Sequence, residues 1–179
     1  GLGLESVAVN ISAVNLGLKG FVESLTEIIH RAGISPDQLE IELTESAMVE
    51  DLDSAVECLR RVAELGIKVS IDDFGTGFSS LQYLERLPVS SVKVDQMFIR
   101  KMHSAQRTRN IVKSTIELAH SLGLTVVAEG IESQQVEDEL RNLGCDYGQG
   151  YHFGKPVSTA QFAELLQSAG PGPQAKQAK

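Results

Sequence analysis

The feature that most constrains this chain is a repeated pairing. A short apolar segment with strand character is followed by an amphipathic helical segment, about six times in succession. Apolar strands separated by amphipathic helices predict a parallel sheet covered by helices, either doubly wound or a (β/α)8 barrel. The polar residues choose between the two. Asn10, Glu42, Asp72, Asp73, Lys93, Glu129 and Gln149 all fall at or near the C-terminal ends of successive strand segments. In a barrel those ends converge on one mouth, whereas in an open sheet the outer strands lie too far apart to share a site. The expected fold is therefore α/β, a barrel of which about six βα units are present. Six units do not close a barrel of eight. Either two strands precede Gly1, or another chain or segment covers the open edges.

The clearest of these strand ends is Lys68–Ser80, where a strand stops in the adjacent pair Asp72 and Asp73 and runs into a loop containing Gly75 and Gly77. The two glycines are expected to adopt backbone angles closed to other residues. Strict alternation sends neighbouring side chains to opposite faces, so two acids on a buried strand call for a cation or lose charge. The helices are expected at about residues 18–31, from Asp51 and Asp53 to Gly66, and at 81–87, 106–122, 134–143 and 158–166. Gly170-Pro171-Gly172-Pro173 and the Gln/Lys/Ala end predict a disordered tail.

At 179 residues the chain is one domain's worth, and its net charge of −8 argues against a nucleic-acid polymer as partner. A small phosphorylated ligand remains compatible, because a metal can supply positive charge locally. Cys58 and Cys145 fit no metal spacing and suggest free thiols in a reducing, cytoplasmic setting. No signal peptide or membrane-length apolar run appears. The chain starts without Met and reads as a piece of something longer.

Asn10, Glu42, Asp72, Asp73 and Glu129 make an all-oxygen set suited to Mg²⁺ or Mn²⁺ rather than zinc. Four carboxylates exceed what one divalent ion needs. Two ions sharing Asp72 would balance better, as in phosphodiester hydrolysis. Lys93 could hold the attacking water or the phosphate, and Glu129 could be the general base or a ligand of the second metal. His30 and His120 look peripheral. Asp72-Asp73-Phe74-Gly75 contains a kinase-like Asp-Phe-Gly without the other kinase motifs, and Gly75-Thr76-Gly77 lacks the Lys-Ser/Thr of a P-loop.

Five segments resemble EAL-domain cyclic di-GMP phosphodiesterases, in order and at family spacing from about Val7 to Val157. They are Glu42-Leu43-Thr44-Glu45-Ser46, Asp72 to Leu81, Val92-Lys93-Val94-Asp95, Val127 to Glu132, and Gly144 to Tyr151. The resemblance implies a modified TIM barrel that hydrolyses cyclic di-GMP to linear pGpG with Mg²⁺ or Mn²⁺. It implies metal coordination by Asn10, Glu42, Asp72 and Asp73, with Glu129 near the metal. It implies that Lys93 and Glu129 serve the attacking water and that Gln149 supports that site. Glu45 would brace the loop of Gly75 and Gly77, which in the family often sits near a dimer contact.

The Glu-Ala-Leu strand that names the family is absent and should lie upstream of Gly1. The domain is thus expected over residues 1–168, with the tail over 169–179. On this reading the isolated piece is inactive and the parent protein active, with a sensory or GGDEF-type domain upstream and a homodimer among its partners. The parent could be tethered to a membrane through its missing N-terminal part. The alternative is a receptor or interaction module that holds cyclic di-GMP without cutting it.

Overall fold

The computed structural model describes residues 6–45, 52–77 and 81–169. Six strands run β1 (Val7–Asn10), β2 (Leu39–Thr44), β3 (Lys68–Phe74), β4 (Ser91–Val94), β5 (Thr125–Ala128) and β6 (Tyr147–Gly148). The helices are α1 (Ala13–Leu16), α2 (Phe21–Ala32), α3 (Leu52–Glu64), α4 (Leu81–Arg86), α5 (Gln96–Met102), α6 (Gln106–Ser121), α7 (Gln134–Asn142) and α8 (Thr159–Ala169).

All strand pairs are parallel and the spatial order is β1-β2-β3-β4-β5-β6, identical to the chain order. A doubly wound sheet reverses direction at a switch point; this one never does, which is the topology of a barrel. The result is a curled half-barrel with helices outside. Among the described residues β1 and β6 do not pair. All four residues of β1 are exposed, as is Tyr147 of β6.

Alternation along the strands separates two environments. On β2, Leu39, Ile41 and Leu43 are buried while Glu40, Glu42 and Thr44 are only partly so. Ile41, Leu43, Val69, Ile71, Val92 and Val126 face the helices and pack with Leu59, Val62, Ile99, Met102, Val112 and Ile116. The opposite face carries Glu42, Asp72 and Lys93 into the concave side, where Lys93 donates to both acids.

The structure differs from the sequence reading in several places. The helix expected at about 18–31 is α2, a separate short α1 precedes it, and Ile28 of α2 is exposed. So is Ile111 of α6, because Val112, Ile116 and Ala119 take the inner stripe. The helix α5 has no counterpart among the expected elements. The last helix continues to Ala169; the rest of the expected tail, Asp51 and Ser46–Glu50 lie outside the described residues. No described helix is long and apolar enough to cross a membrane.

Candidate active site

The site begins with a strand irregularity. The pairing of β3 with β4 runs Ser70↔Ser91 and Ile71↔Val92, then jumps to Phe74↔Val94, so β3 carries one extra residue. That residue is accommodated at Asp73, whose φ is +55°, a left-handed conformation that Asp tolerates better than most side chains. The bulge overturns the expectation that Asp72 and Asp73 face opposite ways. Both turn to the concave side, and Phe74 regains the buried outer face.

Carboxylate oxygens of Asp72, Asp73 and Glu129 lie within 4.8 Å of one another. Lys93 sits among the acids. Its Nζ donates to Glu129 Oε1 at 2.7 Å, Glu42 Oε1 at 2.9 Å and Asp72 Oδ1 at 3.1 Å. Asp72 Oδ1 also accepts the backbone N–H of Asp73 at 3.0 Å. Asn10 is the register partner of Glu42 on the exposed edge strand. Gln149 follows β6 and lines, with Glu129, Gly130 and Tyr151, a rim cavity of about 200 Å³.

Burial disfavours the Lys93 ammonium, but hydrogen bonds to Glu129 and Glu42 outweigh it and hold the group charged well beyond the usual lysine range. Burial pushes the Glu129 carboxyl above its ordinary value. Lys93 opposes that rise, while the charges of Asp72 and Glu42 add to it. Asp73 is also raised, first by burial, then by a hydrogen bond with Asp95 and by the charge of Asp72.

If all are ionised, the carboxylates of Glu42, Asp72, Asp73 and Glu129 exceed the one ammonium of Lys93 by three charges, in a poorly hydrated concavity. A hard divalent cation fits that donor set, since every ligand atom on offer is oxygen and the excess charge is negative. Asp72, Asp73 and Glu129 are the acids closest to a shared position.

The loop after β3 is held from both sides. Glu45, itself 9% exposed, accepts the backbone N–H groups of Gly75 at 3.2 Å and Gly77 at 3.1 Å through Oε2. On the other side a Cβ at Gly75 would lie 3.1 Å from the Phe98 ring. Gly75 has φ +95°, as expected of it, whereas Gly77 has no positive φ. Gly77 is needed for space, since a Cβ there would lie 3.2 Å from the Glu45 carboxyl carbon.

Asp95 is the residue to which sequence reasoning assigned no role. It helps raise the Asp73 carboxyl and caps α5 by accepting the Met97 N–H at 2.7 Å. The signal was present, an acid at a strand's C-terminal end immediately before a helix. His120, by contrast, lies away from the acids and bonds to Asp146 at 2.9 Å.

Known proteins resemble this arrangement in sequence and fold. The family described as the EAL domain matches residues 2–156. The cyclic di-GMP phosphodiesterase NbdA of Pseudomonas aeruginosa is 43% identical over 90% of this chain and 21% of its own length. MucR of the same organism, a bifunctional diguanylate cyclase/cyclic di-GMP phosphodiesterase, is 38% identical over 88% of this chain and 23% of its own length. The structure of the MucR phosphodiesterase in complex with cyclic di-GMP superimposes with a TM-score of 0.84 at 38% identity, covering 88% of this chain and 64% of that one. Klebsiella pneumoniae BlrP1, in a manganese and cyclic di-GMP complex, gives a TM-score of 0.81 at 34% identity, covering 87% and 40%. The chain thus spans about a fifth of the length of the curated relatives it matches.

Proposed function

This chain belongs to the EAL domain family, and from that premise we propose that it forms the catalytic part of a cyclic di-GMP phosphodiesterase, hydrolysing cyclic di-GMP to linear pGpG. The observation that carries the reading is the gathering of Asp72, Asp73 and Glu129 around the charged Lys93 on the concave face. Asn10, Glu42, Asp72, Asp73 and Glu129 would hold Mg²⁺ or Mn²⁺, two ions in this proposal. When bound, such ions lower the pKa of a water and offset the charge of the phosphate.

The chain's own residues do the rest. Glu129, set among Asp72, Asp73 and Lys93, accepts the proton of the attacking water. Lys93 stays protonated, and its three N–H donors hold Glu129, Asp72 and Glu42 in fixed relation while its positive charge offsets the negative charge that develops beside them. Gln149 supports the site from the neighbouring loop. Glu45 keeps the Asp73–Gly77 turn in shape through two amides.

The proposed setting is cytoplasmic. The bifunctional naming of MucR supports a cyclase-type or sensory domain beside this one. A homodimer is part of the proposal, with the loop after β3 as its contact.

Replacing Glu129 with Gln in the full-length protein tests the reading. Turnover of cyclic di-GMP should fall by about 10²–10⁴-fold while the nucleotide still binds. EDTA should stop the wild type, and Mg²⁺ or Mn²⁺ should restore it. Undiminished hydrolysis by the Gln variant overturns the assignment. Binding without turnover in the wild type would favour the silent receptor instead.

A further inference from the structure

The segment Gln149–Phe153 brings Gln149 and Tyr151 to the rim beside Glu129, yet it belongs to no helix or strand. Within this chain Tyr151 is 60% and Phe153 55% exposed. Its inner half is tied by backbone. Gln149 N–H donates to Ala128 O at 2.8 Å, Ile131 N–H to Gln149 O at 3.0 Å, and His152 N–H to Ile131 O at 3.0 Å.

The His152 side chain then reaches away from that tie to α7, where its Nε2 lies 3.1 Å from Glu137 Oε2. Glu137 is itself fixed by Arg141 Nη2 at 2.5 Å and Gln134 Nε2 at 3.3 Å. The imidazole and the carboxylate are both largely shielded, with side chains 25% and 18% exposed. A shielded bond between charged or polar groups constrains more than the same bond in water. His152 therefore connects three parts: its own segment, the turn after β5 through Ile131, and α7 through Glu137.

We propose that His152 is a positioning residue, latching Gln149–Phe153 onto α7 through Glu137 and so fixing Gln149 beside Glu129. The kinetic part rests on the phosphodiesterase reading; the structural part stands without it. With the latch gone, the backbone ties to Ala128 and Ile131 remain, and the side chains carried on that backbone lose their second anchor.

The test uses the full-length protein with H152A and H152Q, the latter keeping a donor at similar reach. In H152A, amide hydrogen exchange across Gln149–Phe153 should rise about tenfold while β3 and β4 are unchanged. The kcat for cyclic di-GMP should fall roughly tenfold with KM changed much less, since a misplaced group costs rate rather than ground-state binding. H152Q should recover most of both. If H152A does not fold, E137A, which removes the partner of His152 Nε2, carries the same comparison. Unchanged exchange at Gln149–Phe153 in a folded variant overturns the latch. So does a kcat loss that H152Q leaves unrepaired. Should the wild type fail to turn over cyclic di-GMP, the functional reading fails, and the exchange comparison still decides the latch.

Discussion

At the rim of the half-barrel, the turn after β3 leans on a charge and the turn after β6 leans on backbone. Gly75 and Gly77 donate their N–H groups to one oxygen of Glu45, a side chain that can adjust by rotation. Gly150 instead lies against Ile131 so closely that a Cβ would be 2.2 Å from its O and 2.3 Å from its N. The first arrangement tolerates displacement and depends on electrostatics. The second tolerates none and depends on shape. A catalytic rim can thus be positioned by two unlike devices, and perturbations that break one should spare the other.

Gly150→Ala should have the largest effect. The backbone cannot yield several tenths of an ångström without dismantling three hydrogen bonds, so a loss of roughly 3 kcal/mol is expected, read as a fall in the urea midpoint. Next is Glu45→Ala, which removes the buried carboxylate that two loop amides share and should cost about 2 kcal/mol. Glu45→Gln keeps an acceptor and should cost about half of that. If Gln and Ala are equally damaging, the turn depends on the carboxylate's charge, and the contrast with the Gly150 turn sharpens.

The two glycines after β3 should separate by cause. Gly75→Ala meets both a positive φ and the Phe98 ring and should cost about 1–2 kcal/mol. Gly77→Ala has only the end of the Glu45 side chain to displace and should cost less than about 1 kcal/mol. Equal costs would mean that Glu45 is as immovable as the Ile131 backbone.

The smallest effect concerns Cys145, which precedes β6. Burial pushes its thiol up to about 11, and its Sγ lies 3.3 Å from Tyr147 O and 3.6 Å from Val126 O. The folded state thus holds the proton more tightly than the unfolded chain. The associated stability is present below the unfolded value and is lost as pH rises toward the folded one. Alkylation of Cys145 at pH 8 should be much slower in native than in denatured protein. Equal rates would show that the β6 region opens freely.

Much of the site was legible in the sequence because alternation along strands sorts residues without reference to distant parts of the chain. Glu42 between Ile41 and Leu43, and Lys93 between Val92 and Val94, declare which face is polar. The helix α5 was missed because its seven residues follow a strand with no break but Asp95, whose capping role depends on the backbone that follows. The bulge at Asp73 was also missed. An extra residue is defined only against the partner strand, here the two-residue step from Val92 to Val94 opposite the three-residue step from Ile71 to Phe74.

The amino-acid order by itself determined the βα alternation, the apolar outer faces of the strands and the identity of the acids at their ends, because periodicity and side-chain chemistry are local properties. Tertiary structure alone decided that Asp72 and Asp73 share a face, that Lys93 reaches three carboxylates at once and that Gly77 answers to space rather than to angle. Each of those outcomes is a distance between residues far apart along the chain, or a register against a neighbouring strand. Neither exists until the sheet has curled and brought the strand ends together.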